Sequence, residues 1–120
     1  MLKKENRLNA NFAFNLTYKN RNFVSDPKMI LYAGILKQDK NCPTRVGFVV
    51  SKKVHKRATK RNRIKRLMRE TIRLMFKNNQ TDIINRYKSL IFYAKDSILD
   101  SDFEEIQKII SQLIQKLANK

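Results

Sequence analysis

The chain has 120 residues, 27 of them Lys or Arg against 10 Asp or Glu, for a formal net charge of +17. That length fits one domain spanning residues 1–120, and Leu, Ile, Val and Phe supply 35 residues, well above the roughly 20% below which a highly charged chain stays unfolded. The longest apolar stretch, residues 29–36, excludes a membrane-spanning helix, which needs about 20 apolar residues.

Residues 9–20 read as a short helix with Asn9 as its N-cap, and Phe14 and Tyr18 four apart on one face. Residues 28–37 follow Pro27 as a strand with Met29, Leu31, Ala33 and Ile35 on one face and Ile30, Tyr32, Gly34 and Leu36 on the other. Both faces are apolar, so both are covered or functional. A turn over residues 38–43 leads to a second strand, residues 45–51. Its Val46, Phe48 and Val50 face is bulky, and its Gly47, Val49 and Ser51 face is small enough for something to approach the sheet. Residues 59–77 are helical: Ile64, Leu67, Met68, Thr71, Ile72 and Met75 form one stripe, and Asn62, Arg66, Arg69 and Arg73 lie opposite. Residues 89–94 form a third, strongly apolar strand. Ser101-Asp102-Phe103-Glu104 is a capping box opening a last helix with Ile106, Ile109, Ile110, Leu113, Ile114 and Leu117 toward the core. The order α-β-β-α-β-α, with room for another short strand, predicts an α/β (α+β) two-layer sandwich. Its mixed sheet has three to four strands with helices packed on it. For the strand–helix–strand unit a right-handed crossover is the general default.

The charge is concentrated. Residues 52–73 hold 11 Lys or Arg and one acid, Glu70. Lys56, Arg57, Lys60, Arg61 and Arg63 crowd the N-terminus of the helix, where cations oppose the helix dipole at roughly 0.3–1 kcal/mol each. Bound phosphate reverses that cost, because helix N-termini and Arg forks both attract it. A merely solvated basic face is the alternative, and both the density and the placement argue against it. Such a surface calls for a polyanionic partner. Phe14, Tyr18 and Tyr32 could stack on single-stranded bases or belong to the core; for Phe12 the core is the better reading.

Little here supports catalysis by the protein itself. His55 is alone among cations, and Asp100, Asp102, Glu104 and Glu105 read as a helix-capping cluster. Cys42 has no evident partner; a single cysteine fits a reducing, cytoplasmic setting. The cationic residues 1–7 precede no apolar stretch, which argues against a signal peptide.

The run Arg45-Val46-Gly47-Phe48-Val49-Val50-Ser51-Lys52-Lys53, followed by Ala58-Thr59-Lys60-Arg61-Asn62-Arg63-Ile64-Lys65-Arg66-Leu67-Met68-Arg69-Glu70, resembles the protein component of bacterial ribonuclease P. Arg7-Leu8, Phe14, Tyr18 and Tyr32 extend the resemblance over nearly the whole chain, most strongly over residues 45–70. It implies a left-handed strand–helix–strand crossover, against the general default. It also implies a holoenzyme, an endoribonuclease that removes the 5′ leader of precursor tRNA, in which the RNA subunit hydrolyses with Mg2+ and the protein supplies no catalytic residue. The partners implied are ribonuclease P RNA, in a 1:1 complex with a monomeric protein, and precursor tRNA, in the cytoplasm and away from membranes. By matching position, Lys52, Lys53, Arg61, Asn62, Arg63, Lys65, Arg66 and Arg69 would contact RNA, joined from the same basic run by Lys56, Arg57, Lys60 and Arg73. Phe14, Tyr18 and Tyr32 would line a cleft for the single-stranded leader. A basic RNA-binding protein of ribosomal or RNA-chaperone type is the alternative from another class.

Overall fold

A computed structural model describes residues 7–8, 11–39, 41–50, 58–78, 80–99 and 101–120, with the side chains of 11–13 and 96 excepted. Its elements are α1 (Asn11–Lys19), β1 (Asn22–Asp26), β2 (Met29–Ala33), β3 (Arg45–Val50), α2 (Ala58–Lys77), β4 (Ser89–Ala94) and α3 (Phe103–Ala118). Two short 3-10 turns flank β4, at Ile84–Arg86 and Asp96–Ile98. The four strands form one mixed sheet in the order β1-β2-β4-β3. β1 and β2 are antiparallel, as are β2 and β4, whereas β3 and β4 run parallel on either side of α2.

The sheet therefore has four strands, and the chain order is α-β-β-β-α-β-α. The added strand, β1, forms a hairpin with β2 around Pro27-Lys28. The Asp26 carboxylate accepts the Lys28 backbone N–H at 3.0 Å, closing the turn. β1 follows directly on α1 because Arg21 adopts a left-handed backbone (φ 54°), which ends the helix and reverses the chain.

Cross-strand pairing divides the side chains between two faces. One carries Met29, Leu31 and Ala33 of β2, Leu90, Phe92 and Ala94 of β4, and Val46, Phe48 and Val50 of β3. This face meets Ile64, Met68 and Ile72 of α2 and the whole apolar stripe of α3 in one core. All six predicted α3 positions are buried. On α2 the stripe is graded: Ile64, Met68, Thr71 and Ile72 are buried, while Leu67 and Met75 are only partly so. α1 packs on the other face against β2 and β4.

Two sequence expectations are corrected. β2 ends at Ala33, four residues early: past it Gly34 N–H bonds Ser89 O at the start of β4 (2.8 Å), pairing with the segment before β4 thins to single bonds (Lys88 N–H to Ile35 O, 2.9 Å; Lys37 N–H to Arg86 O, 2.8 Å), and Ile35 and Leu36 are exposed. The α3 cap lies one residue later than Ser101: Asp102 is the N-cap and accepts the Glu105 N–H at 2.8 Å. Ser101 is instead buried, and its hydroxyl accepts from Lys28 Nζ at 3.3 Å. The proposed Asn9 cap lies outside the described residues.

Candidate nucleic-acid interface

α2 carries the cations in three directions because its 20 residues wind through more than five turns. Its core stripe faces the sheet, so every other side chain is left to the flanks and to solvent. Lys60, Asn62, Arg63, Arg66 and Arg69 are exposed; Arg61, Lys65 and Arg73 are partly covered. Arg63 leans toward the start of α3, its Nη1 at 3.5 Å from the Ser101 carbonyl. Arg61 has its Nε buried and unpaired. Arg73 is engaged by Glu70: its Nε donates to both carboxylate oxygens at 3.1 and 3.2 Å. That bond holds the Glu70 carboxyl below its ordinary range and raises the Arg73 guanidinium further. Among the described residues the other ion pair is Lys28 with Glu105, neither of them on α2. Among the described residues, no carboxylate forms an ion pair with the exposed α2 cations Lys60, Arg63, Arg66 and Arg69.

Lys65 and Arg69 project to the β3 side of the helix. There they line a groove of about 220 Å³ with Arg7, Phe14, Gly47 and Phe48. The small face of β3 does admit a neighbour, and that neighbour is α1: a Cβ built on Gly47 would sit 2.6 Å from Cζ of Phe14. Gly47 is what allows the Phe14 ring to lie on the sheet beside the basic helix. The helix cations and the first of the predicted aromatics therefore share one groove.

From Phe14 the face continues across the sheet. Thr17 and Ser89 share a hydroxyl hydrogen bond that ties α1 to β4. The Tyr18 ring meets Tyr32 edge-on, with centroids 4.8 Å apart. Burial, reinforced by the neighbouring Tyr32 and Tyr93 phenols, pushes the Tyr18 hydroxyl above its ordinary pKa, so it stays protonated and able to donate. Ile91 is fully buried under α1, while Ile30, Tyr32, Val49 and Tyr93 remain partly exposed beyond it. No side chain that alternates onto this face is a carboxylate. The result is a trough-like face of partly exposed aromatic and aliphatic side chains, with Lys65 and Arg69 at its β3 edge.

Phe14, Tyr18 and Tyr32 thus lie on one side of the sheet. The side chain of Phe12 and residues Lys52, Lys53, His55, Lys56, Arg57 and Asp100 lie outside the described residues. Tyr93 and Phe23, which share the face, escaped the sequence reading. The turn residues Asp26-Pro27-Lys28 between two alternating stretches were the available sign of a hairpin, and would have put Phe23 opposite Tyr32. Tyr93 needed the β2–β4 register. Among the described residues no three His, Cys, Asp or Glu side chains come together to hold a metal ion, and Cys42 is exposed. No described helix is long and apolar enough to cross a membrane.

A family model described as Ribonuclease P matches residues 2–118. The Ribonuclease P protein component of Alkaliphilus oremlandii is 37% identical over 116 residues, covering 97% of this chain and 94% of its own. That of Clostridium botulinum strain Loch Maree is also 37% identical, over 94% of this chain and 95% of its own. The solved structure of the Staphylococcus aureus RNase P protein superposes with a TM-score of 0.73 at 28% identity, covering 94% of this chain and 95% of that one. The Thermotoga maritima RNase P protein, solved with 1-(4-fluorophenyl)-2-thiourea, shares the fold with a TM-score of 0.73 at 21% identity, over 92% of this chain and 98% of its own.

Proposed function

The chain belongs to the bacterial ribonuclease P protein family, and we propose that it binds the RNA subunit of that ribonucleoprotein through α2 and holds the 5′ leader of precursor tRNA in the aromatic trough. The observation that carries this reading is the groove in which Lys65 and Arg69 meet Phe14. Phosphate contacts position a nucleic acid, while stacking captures unpaired bases. A groove that joins the two suits a junction between folded RNA and a single strand.

The protein's part is binding. Arg66, Arg69, Asn62, Lys60, Arg61, Arg63 and Lys65 engage phosphates, Lys52, Lys53, Lys56 and Arg57 of the same basic run are assigned to RNA with them, and Arg73 joins once released from Glu70. Tyr18, Tyr32 and Phe14 orient the leader, and the protonated Tyr18 hydroxyl is a donor for a base edge or phosphate oxygen. Hydrolysis is assigned to the RNA subunit with Mg2+, as the family resemblance implies. One protein per RNA, in the cytoplasm, completes the reading.

The test is reconstitution with a bacterial ribonuclease P RNA at physiological Mg2+. The protein is expected to stimulate precursor cleavage and to favour precursor over mature tRNA in binding. Stimulation without that preference points to a general RNA chaperone, and no stimulation rejects the assignment.

A further inference from the structure

Resting on the leader-binding reading above, we infer that the edge strand β1 adds a further base-stacking subsite, formed by Phe23 and flanked by the ammonium of Lys120. Phe23 pairs directly with Tyr32 across the β1–β2 ladder, so the two rings leave the same side of the sheet. Their centroids are 5.8 Å apart with planes tilted by 42°. The row Tyr18, Tyr32, Phe23 is therefore continuous from α1 to the sheet edge.

Phe23 is 49% exposed, one of four large apolar side chains left open among the described residues. The inner face of β1 is served by Val24, which packs against the core. Phe23 thus adds little to folding where it stands. Lys120 Nζ lies 5.7 Å from the ring centroid, and it is held there by the Phe23 carbonyl and the Asn22 side chain, both at 2.9 Å. An aromatic face beside a fixed ammonium suits a base with its attached phosphate.

The geometry also gives the subsite its place. α2 and Phe14 stand at the β3 edge, and β1 lies three strand spacings away, roughly 14 Å at about 4.8 Å each. On the reading above, the RNA subunit docks at the α2 end and the leader enters the trough from there. Phe23 therefore receives a leader nucleotide farther toward the 5′ end than those held by Phe14, Tyr18 and Tyr32.

The test measures the affinity of the reconstituted holoenzyme for precursor tRNAs whose leaders lengthen one nucleotide at a time, with mature tRNA as reference. Wild-type affinity is expected to climb with length and then level off. Phe23→Ala should match wild type for mature tRNA and the shortest leaders and lose about 5- to 100-fold on the longer ones, the range of one base–aromatic stack. Phe23→Tyr should restore the loss, and Phe23→Leu, which keeps apolar bulk at the strand edge but has no face to stack on, should not. A fluorescent 2-aminopurine walked along the leader should be quenched at one distal position in wild type and not in Phe23→Ala. Equal affinities of wild type and Phe23→Ala at every length overturn the subsite while leaving the trough intact. A wild-type affinity independent of leader length overturns the leader reading itself, and the subsite with it.

Discussion

Gly47 shows how a single missing methyl group builds a site. An added Cβ would meet Phe14 at 2.6 Å and Leu8 Cδ2 at 3.2 Å, and the ring tip is the part able to move. Gly47→Ala is expected to cost stability only at the low end of the about 1–3 kcal/mol typical of overpacking, because Phe14 can swing out. The functional cost should be selective: precursor tRNA affinity falls while mature tRNA affinity holds, read from paired binding titrations. Glu70 is the converse case, a carboxylate that occupies a cation. Glu70→Gln frees Arg73 and is expected to raise RNA affinity and steepen its salt dependence by up to about 0.9 in the log–log slope, with melting temperature nearly unchanged because the pair is exposed. Since Glu70 titrates below its ordinary value, the pair is intact at neutral pH and is lost as pH falls through that lowered value. Tyr18 responds at the other end of the scale. Its raised pKa means the fold favours the neutral phenol, so its contribution is complete below pH about 10 and fades as pH rises through the raised value. In a spectrophotometric titration, the ionisation lost on going from wild type to Tyr18→Phe should lie above the ordinary tyrosine range.

On α2, the side chains that hold the core and those proposed to bind RNA occupy different sides of the cylinder. Met68 is fully buried in the core, and Met68→Ala is expected to destabilise by about 2–5 kcal/mol. Leu67, on the margin of the stripe, should cost less. Arg66→Ala and Arg69→Ala should weaken RNA binding with little change in melting temperature, since both heads are exposed. Thermal denaturation beside RNA binding for this set checks the division; equal thermal losses for Arg66→Ala and Met68→Ala would contradict it. The helix also carries no acid in its first turn, so its own dipole opposes the cations there until phosphate arrives. α3 is charged the favourable way, with Glu104 and Glu105 early and Lys116 late. It behaves as a structural element, covering the sheet and fixing the β1 edge through Lys116 and Lys120.

At the scale of the molecule, the net charge of +17 sets the response to salt. Neutralising about six to ten phosphates releases as many counterions, so affinity should drop by about 10³–10⁵-fold between 50 and 200 mM salt. A titration of holoenzyme assembly against salt measures it. The cations do not form one flat patch. They fan from the α3 side, where Arg63 reaches Ser101, across the solvent face to the groove at β3. A partner that meets all of them must wrap the helix, which folded RNA with recessed and protruding phosphates does readily.

Much of the site was legible along the chain because its signals are local. The 3.6-residue stripes of α2 and α3 follow from helix geometry alone, and the alternation of Met29, Leu31 and Ala33 from strand geometry alone. The run of cations beside Arg61-Asn62-Arg63 is visible without any fold, and it carried the family resemblance. What could not be read was whatever depends on partners distant in sequence. β1 holds only two strongly apolar residues, Phe23 and Val24, and exists as a strand because β2 pairs with it. Beyond Ala33 the pairing of this segment dwindles to single bonds and one bridge, Leu36 to Tyr87, an outcome set by residues about 50 positions away. The approach of Phe14 to Gly47, the pairing of Arg73, and the alignment of Tyr18, Tyr32, Tyr93 and Phe23 on one face all required the sheet to close. Periodicity and charge act within a few residues of one another and are written in order along the chain; register and burial arise only when segments tens of residues apart compete for the same hydrogen bonds and the same space.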